Sequence, residues 1–332
     1  MKILLVITGL GVGGAERQIC DLADGFSRLG HEVRLLYLTG SADVKPLSSE
    51  VVVRGLGMGK NPLSFLVSMA ALIKELEAFE PDVVHSHMFH ANILARLARL
   101  RCFIPRLIST AHSTSEGGRL RSVLYRITDS LADISTNVSE AAVKAFVKSG
   151  AAPNGRMIAV YNGIDLSRFD RVNPEAELNA RNEFRLLAVG RLQPEKDYPN
   201  LLKAFKLLSS KCAGIKLRLD IVGEGGERNN LEKMARDFGI DSRVNFLGIR
   251  ADVPELMKQA DIFVLSSAWE GFGLVVAEAM ACSRRVVATD CGGVSEVLGG
   301  NGILVAPHDH RELAHGIQKA LAMSPDESER LG

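Results

Sequence analysis

The stretch Lys2-Ile-Leu-Leu-Val-Ile-Thr-Gly-Leu-Gly-Val-Gly-Gly-Ala-Glu16, with the segment that follows it to Gly40, decides the fold. Lys2–Ile7 is an apolar run of strand length, and Gly9–Gly14 is a glycine-rich turn. Ala15–Leu29 then puts Ile19, Leu22, Ala23 and Phe26 on one face of an amphipathic helix. Gly30 suits a helix end, and Val33–Leu38 is the next apolar run. Strand, turn, helix and strand at this length make a βαβ unit, which implies a parallel sheet.

The alternation continues outward. Helices are expected at Leu63–Phe79, Ile93–Leu100, Arg119–Leu131 and Glu140–Lys148, with extended segments at Asp82–His85, Arg106–Thr110, Ile134–Asn137 and Met157–Val160. Ser167–Glu183 is polar, holds Pro174 and lacks a sustained period, so it reads as a link. The pattern then restarts, with strands at Arg185–Val189, Lys216–Val222, Val244–Leu247, Ile262–Leu265 and Arg285–Ala288. Between them, Asn200–Ser209, Arg228–Phe238, Val253–Gln259 and Leu274–Cys282 read as helices. The expected layout is an N-terminal domain over residues 1–166, a linker over 167–183 and a C-terminal domain over 184–332.

Bulk properties narrow the function. A chain of 332 residues suits two domains, and a net charge of +1 disfavours a dedicated nucleic-acid binder. The five cysteines at 20, 102, 212, 282 and 291 form no C-x-x-C pair, which reads as reduced thiols in a cytoplasmic protein. Met1–Ile7 runs straight into glycines and lacks the form of a signal peptide, and no apolar run is long enough to span a membrane.

Several segments could carry chemistry. Gly9–Gly14 fits the dinucleotide pattern G-x-G-x-x-G, but the acid that should end the second strand is missing from Val33-Arg-Leu-Leu-Tyr-Leu-Thr-Gly40. What remains is a helix N-terminus behind Gly13-Gly14, able to hold an anion on free amides, or a turn that needs glycine for packing alone. Arg191 and Lys196 lie in the loop beyond a strand's carboxyl end, where a fork and a point charge suit a diphosphate and where loop charges are also often merely solvated. In Trp269-Glu-Gly-Phe-Gly-Leu-Val-Val-Ala-Glu-Ala-Met-Ala281, Glu270 precedes a glycine turn and a helix start. Glu278 stands in an otherwise apolar helical run, where a carboxylate needs a ribose or a structural cation to satisfy it. His112 ends a strand, as a structural or a cleft-facing histidine, and Asn162-Gly-Ile-Asp165 reads as a turn or hinge.

Taken together, Gly13-Gly-Ala-Glu16, His112, Asn162–Asp165, Val189-Gly-Arg-Leu192 with Glu195-Lys196, Gly223-Glu-Gly225, Phe246-Leu-Gly248, Glu270-Gly-Phe-Gly273 with Glu278, and Gly292-Gly-Val-Ser-Glu296 resemble a known family. They resemble the retaining nucleotide-sugar glycosyltransferases of family 4, of the bacterial polysaccharide, lipopolysaccharide and glycolipid type. The resemblance spans nearly the whole chain, from Met1 to Ala322. It implies an α/β chain of GT-B fold, two Rossmann-like doubly wound parallel-sheet domains facing across a cleft. It also implies a hexosyltransferase that moves sugar from a nucleoside diphosphate, with UDP preferred, to a glycan or lipid-linked hydroxyl, without a metal or other cofactor.

By resemblance, Glu278 binds the ribose, Arg191 and Lys196 hold the diphosphate, and Phe272, Gly273 and Leu274 offer backbone amides. Glu270 meets the transferred sugar, and Phe246, Gly248 and Ile249 flank the base. Gly13 and Gly14, with Glu16, close on the phosphate, and His112 lines the sugar pocket. The other readings are a GT-B epimerase or hydrolase, a non-catalytic nucleotide-sugar module and, more distantly, an NAD-dependent dehydrogenase.

Two departures stand out: Ala281-Cys-Ser-Arg-Arg-Val286 replaces the usual Gly-x-Pro-Val turn, and the chain ends at Gly332 where the family continues with helices that return to the first domain. Over residues 83–128, seven arginines at 96, 99, 101, 106, 119, 121 and 126 stand against the single acid Glu116. They read as a patch for an anionic membrane or as a solvated helix face.

Overall fold

The computed structural model describes residues 1–59, 61–169, 183–211 and 216–323. The expected linker over 167–183 falls almost wholly outside the described residues, as does Cys212. The chain divides into two compact units, Met1–Gly163 and Ile164–Gly332.

The first unit holds a seven-stranded sheet in the order β3-β2-β1-β4-β5-β6-β7, every neighbouring pair parallel. Its strands are β1 (Lys2–Leu10), β2 (Glu32–Ala42), β3 (Val52–Gly55), β4 (Val83–His87), β5 (Leu107–Ala111), β6 (Ile134–Asn137) and β7 (Met157–Ala159). Alternate residues of β1 enter different cores. Leu4 and Val6 pack with Leu36, Leu38 and Val84, whereas Ile3, Leu5 and Ile7 pack with Ile19, Ala23 and Leu35. A strand that buries both faces needs a continuous apolar run, and Lys2–Ile7 supplies one. The helices are α1 (Gly14–Arg28), α2 (Pro62–Phe79), α3 (Phe89–Ala98), α4 (Arg119–Thr128) and α5 (Glu140–Lys148). Asn61 caps α2 by accepting from Ser64 N, and Ser139 caps α5 by accepting from Ala142 N.

The second unit holds a six-stranded parallel sheet in the order β10-β9-β8-β11-β12-β13. Its strands are β8 (Glu183–Val189), β9 (Lys216–Val222), β10 (Val244–Gly248), β11 (Ile262–Leu265), β12 (Arg285–Thr289) and β13 (Ile303–Val305). The helices are α6 (Tyr198–Lys211), α7 (Arg228–Asp237), α8 (Val253–Gln259), α9 (Leu274–Ala281), α10 (Val294–Leu298) and α11 (His310–Ala322).

Three sequence expectations are corrected. The turn does not begin at Gly9, because β1 continues through Leu10, with Gly9 in register with Thr39. Only Gly11–Gly13 lie between β1 and α1, so the first glycine of the dinucleotide pattern is a strand residue. α3 begins at Phe89, four residues before Ile93, because Phe89 and Ala91 are buried and start the apolar face early. The seven arginines do not share a surface. Arg96 is only 1% exposed and donates to Ser109, Tyr125 O, Thr128 and Ser135 beside Asp129. Arg99 pairs with Asp133, and Arg121 donates to Glu116 O.

The departure at Ala281–Val286 has a structural counterpart. Arg284 is buried and donates to Lys258 O and Ala260 O at the end of α8. Arg285 donates to Ala320 O and Met323 O at the end of α11. Each guanidinium meets carbonyls that a helix terminus leaves unpaired, where the helix dipole also favours a cation.

Gly223 and Gly225 mark a close approach of backbones. A methyl on Gly223 would fall inside van der Waals contact of Gly190 O, and one on Gly225 would do the same to Leu192 O. The same segments are tied by Gly190 N donating to Val222 O and Leu192 N to Glu224 O, each at 2.9 Å. Replacement Gly225→Ala is expected to destabilise the second unit by about 3 kcal/mol, since backbone cannot yield as a side-chain tip does. Urea unfolding followed through Trp269, the sole tryptophan, measures it, and an unchanged midpoint would refute the close packing.

Candidate active site

In a parallel sheet the strand order reverses where two neighbouring connections leave on opposite faces, and a crevice opens at the carboxyl ends there. The second unit reverses between β8 and β11. Beyond β8 the chain runs through Gly190, Arg191 and a short turn at Pro194–Lys196, and beyond β11 it runs through Ser266, Ser267 and Glu270. The two loops are joined by Ala268 N donating to Glu195 O at 2.9 Å and by Ser266 Oγ donating to Lys196 O at 2.8 Å.

Lys196 and Glu270 meet at this point. Lys196 Nζ donates to Glu270 Oε1 at 2.5 Å, and Ser267 Oγ donates to the same oxygen at 2.7 Å. Both side chains are largely buried, at 16% and 13% exposure, so the pair is screened less than a surface pair. Arg191, in the same loop, is turned to Glu195 at 3.1 Å and is well exposed. Tyr198 donates to Gly190 O at 3.0 Å, and burial with the nearby Glu270 charge pushes its phenol upward.

Glu270 leads into Gly271, Phe272 and Gly273, then α9. Gly273 has φ 91, a left-handed conformation that favours glycine, and serves as the N-cap, leaving the first amides of α9 without a capping side chain. Leu274 begins the helix, and Glu278 lies one turn on, half-buried and already engaged in an interaction. Phe246 and Gly248 end β10, and exposed Ile249 follows them. Arg228 Nη2 donates to Phe246 O at 3.1 Å and so steadies that strand end.

The first unit reverses between β1 and β4. Gly13 is the N-cap of α1, and the Glu16 carboxylate folds against it so closely that a methyl on Gly13 would collide. His87 ends β4, and His112 follows β5 directly. His87 Nδ1 and His112 Nε2 are 2.8 Å apart, and the His85 and His87 rings lie with centroids 4.0 Å apart, tilted by 39°. His85 Nε2 is 2.7 Å from Thr110 Oγ1, which is 2.6 Å from Thr136 Oγ1. The His112 amide donates to Glu116 Oε1 at 2.9 Å, and Tyr125 donates to Glu116 Oε2 at 2.5 Å.

The sequence singles out His112 as a candidate but not its neighbours His85, His87 and Glu116, nor Ser266 and Ser267 beside Glu270. A signal for the first two was present: in a strand, residues two apart share a face, so His85-Ser-His87 puts two imidazoles side by side at the carboxyl end of β4. For the others no local signal existed, because their partners come from distant segments.

Burial lowers the basicity of all three histidines. His85 is pushed down to about 4 and His112 to about 3, and His87 also falls well below the ordinary value. The cluster is therefore neutral at pH 7. An imidazole that resists protonation when folded takes up its proton on unfolding, so the unfolded state binds more protons below pH 6.5. Stability from His85 is thus whole above pH 6.5 and is lost as pH falls towards 4. Melting temperature against pH should fall over this window, and His85→Gln, which keeps a nitrogen near Thr110, should flatten the fall. An unaltered slope would contradict the neutral cluster.

The family models match in two adjoining pieces. Glycosyltransferase Family 4 covers residues 12–168, and Glycosyl transferases group 1 covers residues 170–332. A D-inositol 3-phosphate glycosyltransferase of Pseudarthrobacter chlorophenolicus is 32% identical over 92% of this chain and 81% of its own. Among solved structures, Anabaena HepE in complex with UDP-glucose superposes with a TM-score of 0.83 at 25% identity, over 100% of this chain and 93% of that one. Sucrose-phosphate synthase of Thermosynechococcus elongatus shares the fold, with a TM-score of 0.85 at 22% identity, over 100% and 92%. With its two parallel-sheet units and these matches across its length, the chain belongs to the glycosyltransferases of GT-B fold, the first half to Glycosyltransferase Family 4 and the second to the glycosyl transferases group 1.

Proposed function

We propose that the protein transfers a hexosyl group from a nucleoside-diphosphate sugar, UDP preferred, to an acceptor hydroxyl with retention, in assembly of a cell-surface polysaccharide or glycolipid. The observation that carries this reading is the Lys196–Glu270 pair at the reversal between β8 and β11, beside the uncapped amides of α9. A cation, and a helix start without a capping side chain a few residues past its partner, suit an anion, next to a carboxylate able to accept sugar hydroxyls. The uridine preference is supported by HepE, which was solved with UDP-glucose.

Residue roles follow from that placement. Lys196, with Arg191 swung from Glu195, takes the diphosphate. Negative charge grows on the phosphate as the C1–O bond breaks, and each fixed donor there is worth about 3–4 kcal/mol. Phe272, Gly273 and Leu274 add backbone amides, and Glu278 takes the ribose hydroxyls. Phe246, Gly248 and Ile249 flank the base. Glu270, released from part of its contact with Lys196, holds hydroxyls of the transferred sugar. Gly13, Gly14, Glu16 and His112 are the first unit's contribution. The new bond forms between C1 and the acceptor oxygen, and the acceptor proton passes to a donor phosphate oxygen. No step in this scheme calls on a metal.

The acceptor side is read from α4. Leu120, Val123 and Ile127 are exposed at 73%, 53% and 64%, along one stripe of the helix, and the exposed Arg119 and Arg126 flank them. An apolar stripe edged by cations fits an anionic lipid surface, which would present a lipid-linked acceptor. No described helix is long and apolar enough to cross a membrane.

Two measurements test these readings. UDP at about 100 times its dissociation constant should raise stability by about 2.7 kcal/mol, read as a thermal shift that Glu278→Ala abolishes and Lys196→Met weakens. A shift with NAD but with no nucleoside diphosphate would overturn the proposal. Vesicles rich in anionic phospholipid should sediment the protein at low salt, less so after Leu120→Ser with Ile127→Ser. Equal sedimentation of both proteins, or none of either, would remove the membrane reading.

A further inference from the structure

His85 and His87 are two adjoining imidazoles at the end of β4 that the proposed reaction leaves unused. The contact that matters lies between His87 Nδ1 and His112 Nε2, 2.8 Å apart, and a hydrogen bond there needs one proton between two nitrogens. Two arrangements are available, and the far side of His87 separates them. His87 is only 1% exposed, and its Nε2 has no partner among the described residues. If His112 Nε2–H donated, His87 would carry its own proton on that orphaned Nε2. A buried, unpaired N–H is the rarer and costlier outcome, and an unpaired acceptor lone pair is better tolerated. The geometry therefore favours a proton on His87 Nδ1 and a bare Nε2 on both rings.

The surroundings hold this arrangement. The His85 ring packs against that of His87, tilted by 39°, and is itself anchored through Thr110 and Thr136. Met88, directly after His87, has φ 70 and ψ 163, a conformation nearly confined to glycine, and its amide donates to Thr110 O at 3.0 Å. Strain of this kind persists where packing over-determines the backbone, often at working sites. It fixes the end of β4 against the end of β5, and so fixes the His87 ring against that of His112. No charged side chain bonds either ring, and His112 makes no other side-chain hydrogen bond among the described residues.

We propose that His87 is a positioning residue for the reaction: its Nδ1–H donates to His112 Nε2 and holds His112 in the tautomer that carries its proton on Nδ1. With Nε2 occupied, Nδ1 is the only ring nitrogen that His112 can offer a substrate. It meets the donor sugar as a hydrogen-bond donor and does not act as a base. Depressed basicity of both rings keeps the pair neutral across the physiological range, so the tautomer is set by the bond rather than by pH. The inference rests on the glycosyl-transfer reading for its role, and on the two rings alone for the direction of the bond.

The test uses the whole protein with 15N-labelled histidine. Two-bond nitrogen–proton spectra at pH 7.5 separate the tautomers without any turnover. His112 should show a protonated Nδ1 and a bare Nε2. In His87→Leu the assignment should become mixed, and kcat should fall at least about tenfold with KM for the donor sugar little changed, since a wrong tautomer in a working imidazole is costly. His87→Asn places an amide nitrogen near the position of Nδ1, and it should restore both the tautomer and most of kcat. Wild-type His112 with its proton on Nε2 would overturn the inference, whether or not the leucine variant folds. So would a folded leucine variant with unchanged tautomer and kcat. A correct tautomer in a protein that turns over no nucleotide sugar would instead fell the transferase reading and the role built on it, and leave the direction of the bond standing.

Discussion

Every named strand in each sheet runs parallel to its neighbours, and the remainder of the molecule depends on that constraint. Parallel strands need a crossover between each pair, and crossovers cover both faces of the sheet. Chemistry is then excluded from the faces, which are filled by residues such as Leu4, Leu5, Leu186 and Leu187. Polar groups gather instead at the carboxyl ends of the strands. The order places β8 beside β11 and β1 beside β4, so each unit has one point where its first strand borders a strand much later in the chain. Lys196 and Glu270 are 74 positions apart and meet because of that order. His87 and His112 meet because the consecutive strands β4 and β5 lie side by side and end together.

The two sites solve the cost of buried polarity differently. In the second unit, opposite charges neutralise each other, and Ser267 satisfies part of the carboxylate. A buried ion pair of this sort is weak evidence for stability, because desolvation offsets its attraction. On the proposed reading its value is readiness: for an arriving diphosphate, the ammonium would already stand at the strand end and only its partner would have to yield. In the first unit, burial suppresses protonation, and the imidazoles share neutral hydrogen bonds. Glu116 follows the second pattern, since burial raises its carboxyl although Tyr125 and the His112 amide bond to it. One unit thus offers fixed charge and the other neutral polarity.

Much of this was legible in the sequence, and the reasons are specific. Lys216–Val222, Ile262–Leu265 and Val253–Gln259 were bounded to the residue, because period and punctuation agree there. β3, β13, α10 and α11 were not anticipated: β3 and β13 are short, and α10 follows the glycine pair Gly292-Gly293 with only five residues. At the candidate sites, Arg191, Lys196, Glu270 and His112 stand out in the sequence from their positions after strands. The Lys196–Glu270 bond and the histidine pair were out of reach, since both depend on which strands lie side by side. The arginine count misled for a related reason. Charge is visible in a sequence but burial is not, and Arg96 belongs to the interior, where Asp129 and carbonyl or hydroxyl oxygens receive it.

The backbone around Lys196 shows how tightly that side chain is placed. The turn Pro194–Lys196 ends at Asp197, whose φ of 44 and ψ of 45 are left-handed for a residue that is not glycine. Such a conformation costs roughly 1–2 kcal/mol, so something must hold it. Asp197 Oδ2 accepts from His308 at 2.8 Å, and Oδ1 accepts from Asn200 N at 3.4 Å near the start of α6. His308 also has a positive φ, of 62, so two strained residues from loops far apart in the chain lock each other. With Ser266 bonded to Lys196 O, the Lys196 backbone is constrained from both sides, and the side chain keeps the remaining freedom. On the proposed reading of Lys196 as the cation that meets the diphosphate, a fixed donor gains most when no reorganisation is left to do, and the backbone beneath it has already been ordered during folding.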